Sequence, residues 1–258
     1  MLCVGLDPDL EKIPEIARLT GTQETIVRFN RAIIDATKDH VCAFKPNSAF
    51  YEAHGDEGWN ALCETVEYIH EVARDVPVIL DAKRADIGHT NAGYVNAAFE
   101  HVRADALTVH PYLGSEALGP LLDLRDKGIF VLCRTSNPGA GELQDLPIEG
   151  EPLYKVVARL VATKWNANGN CGVVVGATYP EELREVRTII GDMPILVPGI
   201  GAQGGDLEKT VAAGKDNRGA GMLISASRSV MYASSGTDFS EMAGKKALEL
   251  DKAIRAAV

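Results

Sequence analysis

The stretch "VILDAKRADIGHT", residues 78–90, starts as a short apolar run and within four residues becomes a cluster of opposite charges. A run of this length, bounded by polar residues and rich in β-formers, reads as a buried strand. Strands of the same kind recur along the chain as "LCVGLD" (2–7), "VCAFKP" (41–46), "VPVILDAK" (76–83), "ALTVHP" (106–111), "IFVLCRT" (129–135), "CGVVVG" (171–176), "PILVPG" (194–199) and "GMLISAS" (221–227). Between them lie amphipathic stretches. In "TQETIVRFNRAIIDATKD" the residues Ile26, Phe29, Ile33 and Ile34 fall at helical spacing behind a Thr cap. Similar stretches cover 57–74, 91–102, 153–167, 180–190 and 238 to the end. Eight strands alternating with helices over about 250 residues predict an α/β fold, a (β/α)8 TIM barrel, rather than an open doubly wound sheet. No polar edge strand, linker or repeat divides the chain, so a single domain over residues 1–258 is expected.

Composition narrows the function. With 46% hydrophobic residues among 258, the chain can bury the core of one large domain. A formal net charge of -10 without any Lys/Arg block argues against a nucleic-acid or anionic-membrane partner. No apolar run approaches the roughly 20 residues that span a bilayer. With no charged leader ahead of an apolar stretch, the expected compartment is the cytoplasm. The five cysteines (Cys3, Cys42, Cys63, Cys133, Cys171) are odd in number and scattered, and read as reduced core residues. The six histidines show no metal-ligand spacing and read as structural or surface groups.

A barrel of this kind carries its chemistry at the C-terminal ends of its strands. There the sequence places Asp7, Lys45, Asp81 with Lys83 and then Asp86, His110, Arg134 with Thr135 and Ser136, "PGIGAQGG", and "SASRS". Strand side chains alternate, so Asp81 and Lys83 point to the same side at the barrel mouth. Carboxylates alongside favour the charged ammonium. Lys83 therefore reads as a proton donor and a cationic electrostatic group, not as a Schiff-base nucleophile. A solvated charge run is the simpler reading of "DAKRAD". Convergence of Asp7 and Lys45 on the same rim favours a site, because an alternating array of charges is costly to assemble without a use for its field. At the other end, Gly199, Gly201, Gly204 and Gly205 permit close backbone approach to an anion at the start of the next helix, with Gln203 as a neutral donor and Arg228 as a bidentate grip. The loops after strands seven and eight are where such barrels hold phosphate.

"DAKRADIGHT" resembles the Asp-x-Lys-x-x-Asp-Ile signature of the orotidine 5'-phosphate decarboxylases, with a Thr four residues after the second Asp. "GLDPD", "FKPNSAFYEAHG", "RTSNPG", "VPGIGAQGG" and "SASRS" follow the family's order on the corresponding strands. "FKPN" and "HTNAGY" resemble the subgroup with a longer loop after strand five. The resemblance implies cofactor-independent loss of CO2 from C6 of orotidine 5'-phosphate to give UMP, in de novo pyrimidine biosynthesis, with no metal. It implies that Lys83 stabilises the C6 carbanion and protonates it, and that Asp81 sits by the departing carboxylate. Asp7 and Lys45 would bind ribose hydroxyls and extend the charged array, and Ser136 would hydrogen-bond the pyrimidine. Gln203 and Arg228 would hold the phosphate, with Pro198 and Ser227 among the substrate-binding residues. Asp86 and Thr90 would come from the neighbouring subunit of a homodimer. The segment 137–152, with 199–205, would form the lid. His110 and "AGKDNRGAG" (213–221) receive no chemical role. Two alternatives stand beside this reading. A Mg-dependent phosphosugar lyase of the same superfamily would need a metal-binding acid where "FKPN" places Lys45. A non-catalytic phosphate-ligand-binding barrel would not need the array of Asp7, Lys45, Asp81, Lys83 and Asp86.

Overall fold

The computed structural model describes residues 1–200 and 206–258. Strands and helices alternate as β1 (Leu2–Leu6), α1 (Thr22–Thr37), β2 (Ala43–Pro46), α2 (Gly55–Val72), β3 (Ile79–Arg84), α3 (Gly88–Val95), β4 (Ala106–Val109), α4 (Gly114–Leu122), β5 (Gly128–Arg134), α5 (Leu153–Leu160), β6 (Cys171–Val175), α6 (Pro180–Ile190), β7 (Ile195–Pro198), α7 (Leu207–Gly214), β8 (Met222–Ala226) and α8 (Phe239–Ala257). The eight strands are parallel and hydrogen-bonded in the order β2-β1-β8-β7-β6-β5-β4-β3. The two ends meet through the bridges Phe44 to Val78 and Asn47 to Asp81. There Phe44 N donates to Pro77 O at 3.0 Å and Ser48 N to Asp81 O at 3.2 Å. The result is a nearly closed barrel whose seam runs beside Asp81.

Period-two alternation sorts each strand between two environments. Inward, Cys3, Ala43, Ile79, Ala106, Phe130, Val174 and Leu196 form an apolar layer, one residue from each of β1 to β7. Outward, Val4, Phe44, Leu80, Leu107 and Val131 join the larger cluster under the helices, where α1 contributes Phe29 and Ile33 and α2 contributes Leu62 and Ile69. Burial of each large apolar side chain contributes about 1.5–3 kcal/mol. Among the described residues, no helix is long and apolar enough to cross a membrane.

Several local details depart from the sequence reading. The cap of α1 is Gly21 and not Thr22, whose amide instead donates to Glu57 Oε2 at 3.1 Å. Thr25 organises this helix start, with its hydroxyl donating to Gly21 O at 2.8 Å. The helix expected over 91–102 begins at Gly88 and ends in a π-helical turn, Asn96–His101, and α5 runs into another, Val161–Trp165. A wider turn shifts the buried face without ending the helix, which a 3.6-residue period does not register. Helix α4 escaped the sequence reading because Gly114, Gly119 and Pro120 weaken its helical signature.

At the N-terminal face of the barrel, the buried Arg187 of α6 gathers four carbonyls. It donates to Gly214 O (2.7 Å), Gly191 O (2.6 Å), Met193 O (2.7 Å) and Gly221 O (2.8 Å). These acceptors sit at the end of α7 and on the approaches to β7 and β8. Of the segment 213–221, the first two residues end α7 and the rest form a turn in which Asp216 accepts from Arg218 N (2.9 Å) and Ala220 N (2.8 Å). Replacing Arg187 with Met would keep most of the apolar stem and strand the four acceptors. We expect Arg187→Met to lower the unfolding free energy by roughly 3 kcal/mol, measured by urea denaturation.

Candidate active site

One step along the strands from the apolar layer, the same inward parity changes from apolar to polar. Ala43 is followed by Lys45, Ile79 by Asp81, and Ala106 by Thr108; in β1, Cys3 leads through Gly5 to Asp7. Asp81 is the centre of this polar layer. Its Oδ2 accepts from Lys45 Nζ at 2.9 Å and from Asn47 Nδ2 at 3.5 Å, and its Oδ1 from Lys83 Nζ at 2.7 Å and Thr108 Oγ1 at 2.9 Å. Burial by itself would raise the Asp81 pKa; the ammonium groups of Lys45 and then Lys83 outweigh it and hold the carboxyl well below the usual carboxylate range. Burial would likewise discharge Lys45, and the Asp81 and Asp7 carboxylates reverse that, pushing its pKa above the ordinary lysine value.

Asp81 and Lys83 do share a side, but not through simple alternation. Leu80 pairs with Leu107 and Arg84 with Val109, so Asp81, Ala82 and Lys83 stand opposite the single residue Thr108. The bulge places Lys83 in the left-handed region, at φ 49°. The Lys83 side chain is 47% exposed, against 6% for Lys45. One ammonium is thus held within the wall while the other is the more open.

Asp7 is also fixed from two sides. Its Oδ1 accepts from Asn47 N at 3.2 Å, and its Oδ2 accepts from the Ser227 hydroxyl. Gly5 makes the approach possible, because a Cβ there would lie 1.8 Å from Ser227 Oγ. Tyr232 braces the turn beyond, donating its hydroxyl to Asp7 O (3.1 Å) and accepting from Asp9 N (2.7 Å).

These groups open into a cavity of about 610 Å³, within the roughly 300–1,000 Å³ of small-molecule sites. Asp7, Lys45, Asp81 and Lys83 line one part of it, and Ser136, Pro198, Ser227 and Arg228 also line it. Leu132, Val174, Leu196 and Ile200 supply apolar wall. Ser136 comes close to β6 at Gly176, where a Cβ would sit 2.7 Å from Ser136 Cβ. Gly201, Gln203, Gly204 and Gly205 lie outside the described residues. The helix after them, α7, has its own cap, since Asp206 accepts from Lys209 N at 3.1 Å.

Asp86 and Thr90 are not brought into this cavity. Asp86 Oδ1 accepts from Ile87 N at 2.6 Å, its amide donates to Asn91 Oδ1 at 2.9 Å, and Thr90 is exposed at the start of α3. His110 is half-buried at the end of β4, with its amide on Arg84 O at 3.2 Å, and does not line the cavity. The segment 137–152 is folded against the end of β5, as a short helix (Gly141–Gln144) and a two-residue ribbon (Pro147–Ile148 with Glu151–Pro152). Arg134 anchors it: the buried guanidinium pairs with Asp145 at 3.1 Å and lies 4.4 Å from the Tyr179 ring centre. Gln144 Oε1 accepts from Thr135 N at 2.9 Å.

Asn47, Thr108 and Gln144 were not among the residues singled out in the sequence. For Thr108 a signal existed, two residues past the inward Ala106; Gln144 reaches the cavity only through the fold of its loop. Among the described residues, no group of three or more His, Cys, Asp and Glu side chains is arranged to hold a metal ion.

The depressed pKa of Asp81 sets a pH window. Its ionisation contributes stability that is fully present above the unfolded value of about 3.9 and is lost as pH falls through the lower native value. Asp81→Asn leaves the Lys45 ammonium buried without its main partner. We expect it to destabilise the fold by about 3–5 kcal/mol near neutrality, with a difference from wild type that shrinks below about pH 4, followed by urea unfolding across pH.

The description "Orotidine 5'-phosphate decarboxylase / HUMPS family" matches residues 1–239. An orotidine 5'-phosphate decarboxylase of Cupriavidus metallidurans is 52% identical over 254 residues, covering 98% of this chain and 92% of that protein. One from an Azoarcus species is 52% identical over 256 residues, covering 99% and 93%. Among solved structures, the Leishmania donovani OMP decarboxylase superposes with a TM-score of 0.85 at 40% identity, covering 100% of this chain and 94% of its own.

Proposed function

The chain belongs to the orotidine 5'-phosphate decarboxylase / HUMPS family and is a carboxy-lyase that converts orotidine 5'-phosphate to UMP in pyrimidine biosynthesis, and from that premise we propose how its own residues carry the step. The observation that carries the proposal is the chain of contacts Lys45, Asp81, Lys83, in which Lys83 is the more exposed ammonium. As the bond from C6 to the carboxylate breaks, its electron pair remains on C6 and CO2 departs. The Lys83 ammonium stabilises that pair and transfers a proton to it, giving the C6–H of UMP and a neutral amine that solvent reprotonates. Asp81 holds Lys83 in line and stands near the departing carboxylate. Fixed charges of this kind act where charge develops, and the protein frame bears the reorganisation beforehand.

The remaining roles are those the family resemblance implies. Asp7 and Lys45 serve the ribose hydroxyls, Ser136 the pyrimidine, and Gln203 with Arg228 the phosphate, beside Pro198. Ser227 acts at the same place and also orients Asp7 through its hydroxyl. Binding energy from the phosphate, remote from C6, can drive closure of segment 137–152 and is spent on the chemical step. No metal or organic cofactor takes part in this reading. One catalytic domain spans the chain, and the proposed compartment is the cytoplasm, which five cysteines without disulfides support. Nucleic acid is not a partner.

The active form is a homodimer in which Asp86 and Thr90 complete the neighbouring site. Two features support this. Both residues lie outside their own cavity. The loops after β3 and β4 also expose Ile87 (56%), Tyr112 (79%) and Leu113 (42%), apolar surface that a partner would cover.

Chelator-treated protein should retain full turnover, read as the loss of orotidine 5'-phosphate absorbance; a requirement for Mg2+ would sink the metal-free reading. Lys83→Ala should lower kcat by several orders of magnitude while UMP still binds; a mild loss would remove Lys83 as the proton donor.

Mixing inactive Asp86→Ala and Lys83→Ala proteins, once subunit exchange is verified, should restore activity in heterodimers that carry one intact composite site. No recovery would place Asp86 elsewhere.

A further inference from the structure

We infer that Thr108 is a positioning residue for proton transfer, because its single hydroxyl links the Asp81 carboxylate to the backbone of Lys83 across the β3 bulge. The inference rests on the reading of Lys83 as the proton donor. Thr108 is fully buried in β4. Its Oγ1 donates to Asp81 Oδ1 at 2.9 Å and accepts from Lys83 N at 3.0 Å. Both capacities of the hydroxyl are thereby used within one small loop of contacts, closed by Lys83 Nζ to Asp81 Oδ1 at 2.7 Å.

The geometry requires such a group. Where Asp81, Ala82 and Lys83 stand opposite one residue, the β3–β4 ladder cannot satisfy every amide. The amide of Lys83 would be left without a strand partner in a left-handed backbone, a conformation that a lysine holds only when its surroundings over-determine it. The Thr108 hydroxyl takes the place of the missing ladder acceptor. Its hydrogen is then directed at Asp81, so the oxygen that receives the Lys83 ammonium cannot turn away. Lys45 and Asn47 fix the other carboxylate oxygen. The position of the Lys83 ammonium is therefore set from its backbone and from its partner at once, by a side chain that does not line the substrate cavity.

The test compares Thr108→Val, which keeps the shape and removes the hydroxyl, with Thr108→Ser, which restores it, and runs Lys83→Ala in parallel. The expected result for Thr108→Val is a kcat roughly 10- to 100-fold lower, the scale of one hydrogen bond to a charged group. KM and the affinity for UMP should stay within about twofold, and Thr108→Ser should recover kcat to within about threefold of wild type. An unchanged kcat in Thr108→Val overturns the inference. So does a parallel loss of kcat and UMP affinity that Thr108→Ser fails to restore, since that marks a purely structural residue. If Thr108→Val does not fold, Thr108→Ala takes its place with the same expectation, and failure of both to fold beside a normal serine variant also overturns it. Full activity in Lys83→Ala would instead defeat the proton-donor reading itself, whatever the threonine variants do.

Discussion

The ion pair between Asp81 and Lys45, buried in the barrel wall, is the constraint around which the rest of the C-terminal face is arranged. Taking two such ions out of water costs several kcal/mol each, and the cost is offset only when the geometry and the surrounding hydrogen bonds are good. Here they are: Asp81 receives donors on both oxygens, from Lys45 and Asn47 on one side and Lys83 and Thr108 on the other. The same residue carries part of the barrel closure, since Ser48 N donates to Asp81 O and Asn47 bridges to it. The seam between β2 and β3 thus closes on the residues that form the site. A shift of this seam would move Lys45 and Asp81 together.

The barrel delivers this arrangement through parity. The inward side chains Ile79, Phe130 and Leu196 belong to one apolar layer. Two residues later the inward side chains turn polar, at Lys45, Asp81 and Thr108. Polar groups at that level need partners within the wall or in the ligand. Lys45 takes the first option and Lys83 has one foot in each, paired with Asp81 and open to the cavity. Arg134 takes the first, spending its charge on Asp145 and the Tyr179 ring to hold the segment after β5 against the rim. The Asp145 carboxylate is itself 47% exposed, so this ion pair is a weak attachment.

How much of this could be read from the sequence depends on the range of the determining interactions. The strands were legible because each is a short apolar run, and Asp7, Lys45, Asp81 and Lys83 were legible because each ends such a run. Arg228 and Ser136 followed from the same strand-end rule. What stayed hidden depends on contacts across strands. The β3 bulge leaves no mark in "ILDAKR" itself; it arises from how β3 registers against β4. Thr108 sits inside "ALTVHP", where a threonine is an ordinary β-former, and only the parity set by Ala106 distinguishes it. Thr22 looked like a cap because it precedes the helical period; Glu57, from another helix, takes its amide instead. Asp86 and Thr90 were named from the resemblance alone; within the chain Asp86 bonds to Ile87 and Asn91 of its own loop.

The two faces of the barrel answer to different demands, and that division explains why a costly site is tolerable. At the N-terminal face, Arg187 draws four carbonyls to one guanidinium, and the chain turns tightly around Asp216. At the C-terminal face, Lys83 sits in a left-handed backbone conformation and its ammonium is held against a carboxylate without being enclosed. Such a group is held by its partner and is still reached from the cavity. Full burial of Lys83 would deny it to the substrate, and full exposure would screen the field that Asp81 and Lys45 create. The bulge in β3 resolves the conflict by turning the lysine outward by part of one residue step while its carboxylate partner stays in the wall.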